Sequence, residues 1–121
     1  MLIVYASKTG NVERFVRKLP VTHHLKLCSG DERINQPCVL LTYTTGLGGV
    51  PLEVAHFAAA HASLIRGVAA SGNRNWGSDY ARAAHCLHEQ YGFPVLHTFE
   101  LSGLKRDISA FMERLDALAA H

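Results

Sequence analysis

Cysteine is scarce in this sequence of 121 residues. Cys28, Cys38 and Cys86 are odd in number, scattered and without a C-x-x-C, which argues against a disulfide framework or a zinc ribbon. Free cysteine behaves as a small hydrophobe, so buried structural thiols are expected. Long apolar runs are missing too: nothing approaches the roughly 20 continuous residues of a membrane span. The opening MLIVYASKTG has no basic region ahead of its apolar part. These absences lead to the expectation of a soluble, cytoplasmic protein with no membrane partner. Neither sign of charge dominates, since 12 Lys and Arg against 10 Asp and Glu leave a formal net charge of +2. That is too little and too dispersed to indicate a nucleic-acid partner. No low-complexity tract, repeat or linker interrupts the chain, so one domain, 1–121, is expected. Eight histidines invite a metal site, but His85 with His88, and His56 with His61, lack a third ligand at sensible spacing, and no metal is expected.

What the sequence does have is alternation. Short apolar runs alternate with segments of helical period, the pattern of a parallel sheet covered by helices on both faces. MLIVYAS reads as a first strand buried on both faces. From Asn11 the period changes, with Val12, Phe15, Val16 and Leu19 at i, i+3, i+4, i+7, and Pro20 ends the helix. THHLKL is a weaker second strand, placed towards an edge, and CVLLTYT is a third. Pro51 suits the first turn of a helix running through LEVAHFAAAHASL. RGVAASG is a fourth strand, a helix follows from Ser78, PVLHTFEL is a fifth strand, and RDISAFMERLDALAA a last helix. Five parallel strands with right-handed crossovers are expected in the order 2-1-3-4-5, an α/β three-layer sandwich whose ligand sits beyond the carboxyl ends of the strands. The loops after strands one, three and four then share one site.

The first loop, SKTGN, places Ser7, Lys8, Thr9, Gly10 and Asn11 where a helix begins, and helix N-termini present free N–H groups to an anion. It reads as a phosphate cradle, although Thr9 or Asn11 could instead cap the helix with no ligand. The spacing is neither that of a Walker loop nor of G-x-G-x-x-G, so the anion is a single terminal phosphate. In the second loop, TYTTGLGGVP, Gly46, Gly48 and Gly49 follow Thr42, Tyr43, Thr44 and Thr45, and such glycines let peptide units reorient cheaply. The third loop, SGNRNWG, brings donors on Ser71, Asn73 and Asn75, close backbone at Gly72 and Gly77, and the only tryptophan, Trp76. A tryptophan in a connection is either poorly buried or has something flat to lie on, and Tyr43 or Tyr80 stands near by. A phosphate joined by a spacer to a planar ring with polar edges describes flavin mononucleotide (FMN).

SKTGN resembles the phosphate loop of flavodoxins, and TYTTGLGGVP with ASGNRNWG and FELSG resembles the NrdI flavoproteins over nearly the whole chain. The resemblance implies a flavodoxin-like fold and an FMN protein. Once reduced, it would react with dioxygen and deliver superoxide or a related oxidant to the dimanganese small subunit of class Ib ribonucleotide reductase, with an unidentified reductase as electron donor. It implies that Ser7, Lys8, Thr9, Gly10 and Asn11 hold the phosphate and that residues 42–49 flank the isoalloxazine. Ser71, Gly72, Asn73, Asn75, Trp76 and Gly77 would form the other wall, with Trp76 stacked on the ring. Gly46 is the candidate for a redox-linked peptide flip. NVERF lacks the second hydroxyl that many flavodoxins place there, so Asn11 takes that role. The alternative is a conventional flavodoxin carrying single electrons. Against it stand the GNRNWG loop and the charge of +2, since flavodoxins as a family are strongly acidic.

Overall fold

The structure, a computed structural model, describes residues 1–45, 49–73 and 81–120. In chain order the elements are β1 (Leu2–Tyr5), α1 (Asn11–Lys18), β2 (His24–Lys26), β3 (Cys38–Tyr43) and α2 (Leu52–His61), then β4 (Ile65–Gly72), α3 (Arg82–Tyr91), β5 (Val95–Glu100) and α4 (Lys105–Ala119). A short 3-10 turn, Ala62–Leu64, leads from α2 into β4. The strands form one five-stranded sheet in the order β2-β1-β3-β4-β5, with every neighbouring pair parallel. This is the expected topology.

Alternation along the central strands divides the core in two. Ile3 and Tyr5 of β1 and Val39 and Leu41 of β3 face the side covered by α1 and α4, where Val12, Phe15, Val16, Leu19, Phe111 and Leu115 are buried. The Phe15 and Phe99 rings stack there with centroids 3.9 Å apart. Val4, Cys38 and Leu40 face the other side, where Val54 and Phe57 of α2 and Ala83, Ala84 and Leu87 of α3 close over them. All four residues of the α1 stripe are buried as the 3.6-residue period requires. Ile108, Met112 and Leu118 of α4 are partly buried against the same core.

Differences from the sequence expectation fall at the edges. β2 has only three residues, with Leu25 half-buried between exposed His24 and Lys26, because an edge strand with polar residues on both sides has little to bury. α2 tightens into the 3-10 turn at Ala62, and Ile65 joins β4 at its start. Only one cysteine is fully buried. Burial pushes the Cys38 thiol up to about 12, whereas Cys86 is half-buried and Cys28 is exposed. Cys28 lies just past the edge strand, in a loop organised by Glu32. The N–H of Cys28, with those of Ser29 and Gly30, donates to that carboxylate and holds it below the ordinary carboxylate range. No helix among the described residues is long and apolar enough to cross a membrane.

Candidate functional site

A cavity of about 580 Å³ opens beyond the carboxyl ends of β1, β3 and β4, within the range of roughly 300–1,000 Å³ typical of ligand sites. The loop after β1 supplies Ser7, Lys8 and Thr9, and α1 supplies Asn11 and Val12. Gly10 is the residue on which the chain turns into α1, with φ 89° and no side-chain cap. The Ser7 hydroxyl accepts from the Glu13 N–H at 3.2 Å. The N–H groups of Gly10, Asn11 and Val12 have no acceptor among the described residues. Free donors at a helix start beside Lys8 suit a phosphate.

The second wall comes from the end of β3 and the loop beyond it. Tyr43, Thr44 and Thr45 line the cavity. Thr45 and Gly49 tie the base of the glycine-rich loop, the Thr45 N–H donating to the Gly49 carbonyl at 3.1 Å and the Gly49 N–H to the Thr45 hydroxyl at 2.9 Å. Thr44 is buried and accepts from the Ala83 N–H at 3.4 Å, which ties this loop to the start of α3. Thr42 is fully buried, donates to the Tyr43 carbonyl at 2.7 Å and does not line the cavity. Ser71, Gly72 and Asn73 close the third side. Ser71 donates to the Leu101 carbonyl at 2.6 Å, so its hydroxyl proton is committed to the chain. Gly46, Gly48, Asn75, Trp76 and Gly77 lie outside the described residues, as do Arg74, Asp79 and Tyr80.

Residues not expected from the sequence also line the cavity: Val12, Pro51, Leu52, Glu53 and Leu101. Tyr43 donates its phenol to Glu53 at 2.9 Å. Burial, then the Glu53 carboxylate, push that phenol up to about 12, so it keeps its proton. Leu52 is 88% exposed and Leu101 48% exposed, an apolar rim around a polar cavity. Leu52 could have been found in the sequence, because it falls off the buried stripe of Val54, Phe57 and Ala58 in α2. The cavity therefore offers donors at one loop, an unpaired-backbone helix start, a proton-holding phenol and apolar walls. Those groups fit a flavin phosphate and an aromatic ring.

The profile of the family described as "NrdI Flavodoxin like" matches residues 3–113. The chain belongs to the NrdI flavodoxin-like family. Protein NrdI of Bacillus licheniformis is 46% identical over 114 residues, spanning 94% of this chain and 86% of its own length. Protein NrdI of Macrococcus caseolyticus is 42% identical over 121 residues, all of this chain and 93% of the relative. Solved structures share the fold at lower identity. A Streptococcus pneumoniae flavodoxin superposes with a TM-score of 0.70 at 23% identity, covering 98% of this chain and 96% of that one. A short-chain flavodoxin associated with a bacterial microcompartment superposes at 0.69 with 19% identity, covering 99% and 98%. NrdI-family membership and the flavodoxin-like fold together imply a flavin cofactor.

Proposed function

We propose that this chain binds FMN and, with the flavin reduced, passes electrons to dioxygen to supply superoxide for assembly of the dimanganese–tyrosyl radical cofactor of the class Ib ribonucleotide reductase small subunit. The observation that carries the reading is the near full-length similarity to two proteins named NrdI. The cavity supports the FMN part. Ser7, Lys8, Thr9 and Asn11 bind the phosphate with the free N–H groups at the start of α1, and the single glycine of SKTGN suits one phosphate. Val12, Pro51, Leu52 and Leu101 exclude water from the ring. Tyr43 holds a proton on its phenol, aimed at Glu53. Trp76 and the Gly46 peptide belong to this reading as the stacking partner and the reorienting unit. A small positive net charge leaves a reduced, anionic ring less opposed than the field of a strongly acidic protein would. The partners are the reductase small subunit, dioxygen and a reductase as electron donor, and the setting is the cytoplasm.

Two measurements test it. Cofactor released by heat from the purified protein is FMN; recovery of flavin adenine dinucleotide overturns the single-phosphate reading. Reduced protein, manganese-loaded small subunit and oxygen together give a tyrosyl radical by electron paramagnetic resonance, and omission of the flavoprotein abolishes it. If an unrelated flavodoxin serves equally well, the chain is an electron carrier instead.

A further inference from the structure

Asn11 lines the cavity, and its amide is held in one orientation by residues outside it. Its Oδ1 accepts from Arg14 Nη2 at 2.6 Å and from Ser102 Oγ at 2.9 Å. Arg14 Nε also donates to Ser102 Oγ at 3.0 Å, so the three side chains close a triangle. A carbonyl oxygen has two lone pairs, and here both are taken. The nitrogen end of the amide must then face the other way. Asn11 Nδ2 donates to Thr9 Oγ1 at 3.4 Å, on the cavity side, and its second N–H is left for whatever occupies the cavity.

Without that clamp the amide torsion is broad and two-fold. Oxygen and nitrogen would exchange places, and half the population would turn a lone pair towards an anion. Arg14 acts by charge as well: a Cβ on Gly10 would lie 2.8 Å from Arg14 Nη1, so the guanidinium rests against the phosphate loop. Ser102 is held in turn by α1, since Lys18 Nζ donates to the carbonyls of Ser102 and Gly103, each at 3.4 Å. The turn after β5 is thus wired to the first helix, although neither Arg14 nor Ser102 lines the cavity.

We propose that Arg14 and Ser102 are positioning residues that make Asn11 a fixed donor towards the ligand's phosphate, and so give the site its preference for a phosphorylated flavin over riboflavin. This rests on the flavin reading above. A neutral ribityl terminus gains little from an aligned N–H or a nearby cation, whereas a phosphate carrying nearly two charges gains from both.

The test titrates apoprotein with FMN and with riboflavin, following quenching of flavin fluorescence. Arg14→Ala is expected to weaken FMN by about ten-fold, from release of the Asn11 amide together with loss of the nearby guanidinium charge, and to leave riboflavin affinity unchanged. Arg14→Lys keeps the charge but not the planar fork that meets Asn11 and Ser102 from two fixed nitrogens, and should recover only part of the lost affinity. Equal losses for both flavins, an unchanged FMN affinity, or full recovery in Arg14→Lys would overturn the proposal. If Arg14→Ala no longer folds, Ser102→Ala decides: a loss confined to FMN upholds the clamp, and any other pattern rejects it. Wild-type protein that binds neither flavin refutes the flavin reading itself, a result distinct from all of these.

Discussion

Gly30 and Gly92 share a backbone conformation but not their surroundings, which allows strain and crowding to be separated. Gly30 has φ +90°, and a Cβ there would lie 2.5 Å from the Glu53 carbonyl oxygen and 3.0 Å from its Cα. Gly92, which ends α3, has φ +80° and nothing within 4 Å of the same position. Alanine at either site incurs the left-handed penalty of about 1–2 kcal/mol. At Gly30 an overlap is added that the neighbour cannot escape, because it is backbone in the first turn of α2, where the Pro51 carbonyl already accepts from Val54 and Ala55. Overpacking of that kind costs roughly 1–3 kcal/mol. With about 2.1 cal/mol/K of unfolding entropy per residue, a chain of 121 residues has about 250 cal/mol/K in all. Gly92→Ala should therefore lower Tm by about 6 °C, and Gly30→Ala by about 14 °C. Thermal unfolding followed by circular dichroism measures both. Flavin affinity should fall only in Gly30→Ala, whose clash is with a turn that carries the cavity residues Leu52 and Glu53. Equal losses of Tm would show that the 28–32 loop swings aside and that α2 is not braced by it.

Two further predictions concern protons. The Tyr43 phenol, raised to about 12 from 10.0, contributes stability that is fully present below pH 10 and is lost as pH rises through its folded value. In the apoprotein its phenolate should therefore appear late in an alkaline titration, in a step that Tyr43→Phe removes; a single common transition near pH 10 would contradict the pairing with Glu53. Burial pushes Asp107 up, but the hydrogen bonds from His97 at 2.8 Å and the Leu104 N–H at 2.7 Å outweigh it and bring the carboxyl below 3.8. Its contribution is present above the ordinary carboxylate range and lost as pH falls through the folded value. Asp107→Asn should cost about 1 kcal/mol at neutral pH and much less in acid, so a Tm difference independent of pH would refute the assignment.

The parts of the fold legible in the sequence were those that bury side chains on both faces. LIVY, CVLLTY and the run ending AASG can satisfy a two-sided core only as central strands, and the α1 stripe of Val12, Phe15, Val16 and Leu19 permits one helical phase. The short edge strand and the 3-10 turn were not, because a half-exposed segment obeys no strict period. In the site, Ser7, Lys8, Thr9 and Asn11 could be read from their place at a helix start. Leu101 could not, since its presence depends on a contact between elements distant in sequence, whereas Glu53 lies close to the second loop in sequence and only its pairing was hidden. Glu53 is met by Tyr43 across the β3–α2 connection, and the Leu101 carbonyl is fixed by Ser71, 30 residues away. The clamp on Asn11 was hidden for the same reason, since nothing in FELSG shows that Ser102 will meet α1.

Parallel pairing also determines when a binding site can exist at all. β1 meets β2 at Ile3 and His24 and meets β3 at Leu2 and Cys38, and the later pairs begin at Cys38 with Ile65 and Val68 with Val95. No two neighbouring strands are joined by a hairpin, so each pairing must close a long stretch of chain before it is rewarded. The cavity draws on residues 7–9, 11, 12, 43–45, 51–53, 71–73 and 101. It has no local precursor, and a partly folded chain without β5 in place lacks a wall. Ligand affinity is then an all-or-none property of the folded state. A bound cofactor then stabilises the native state by an amount that grows with its free concentration relative to Kd, and its release returns the protein to what packing alone provides.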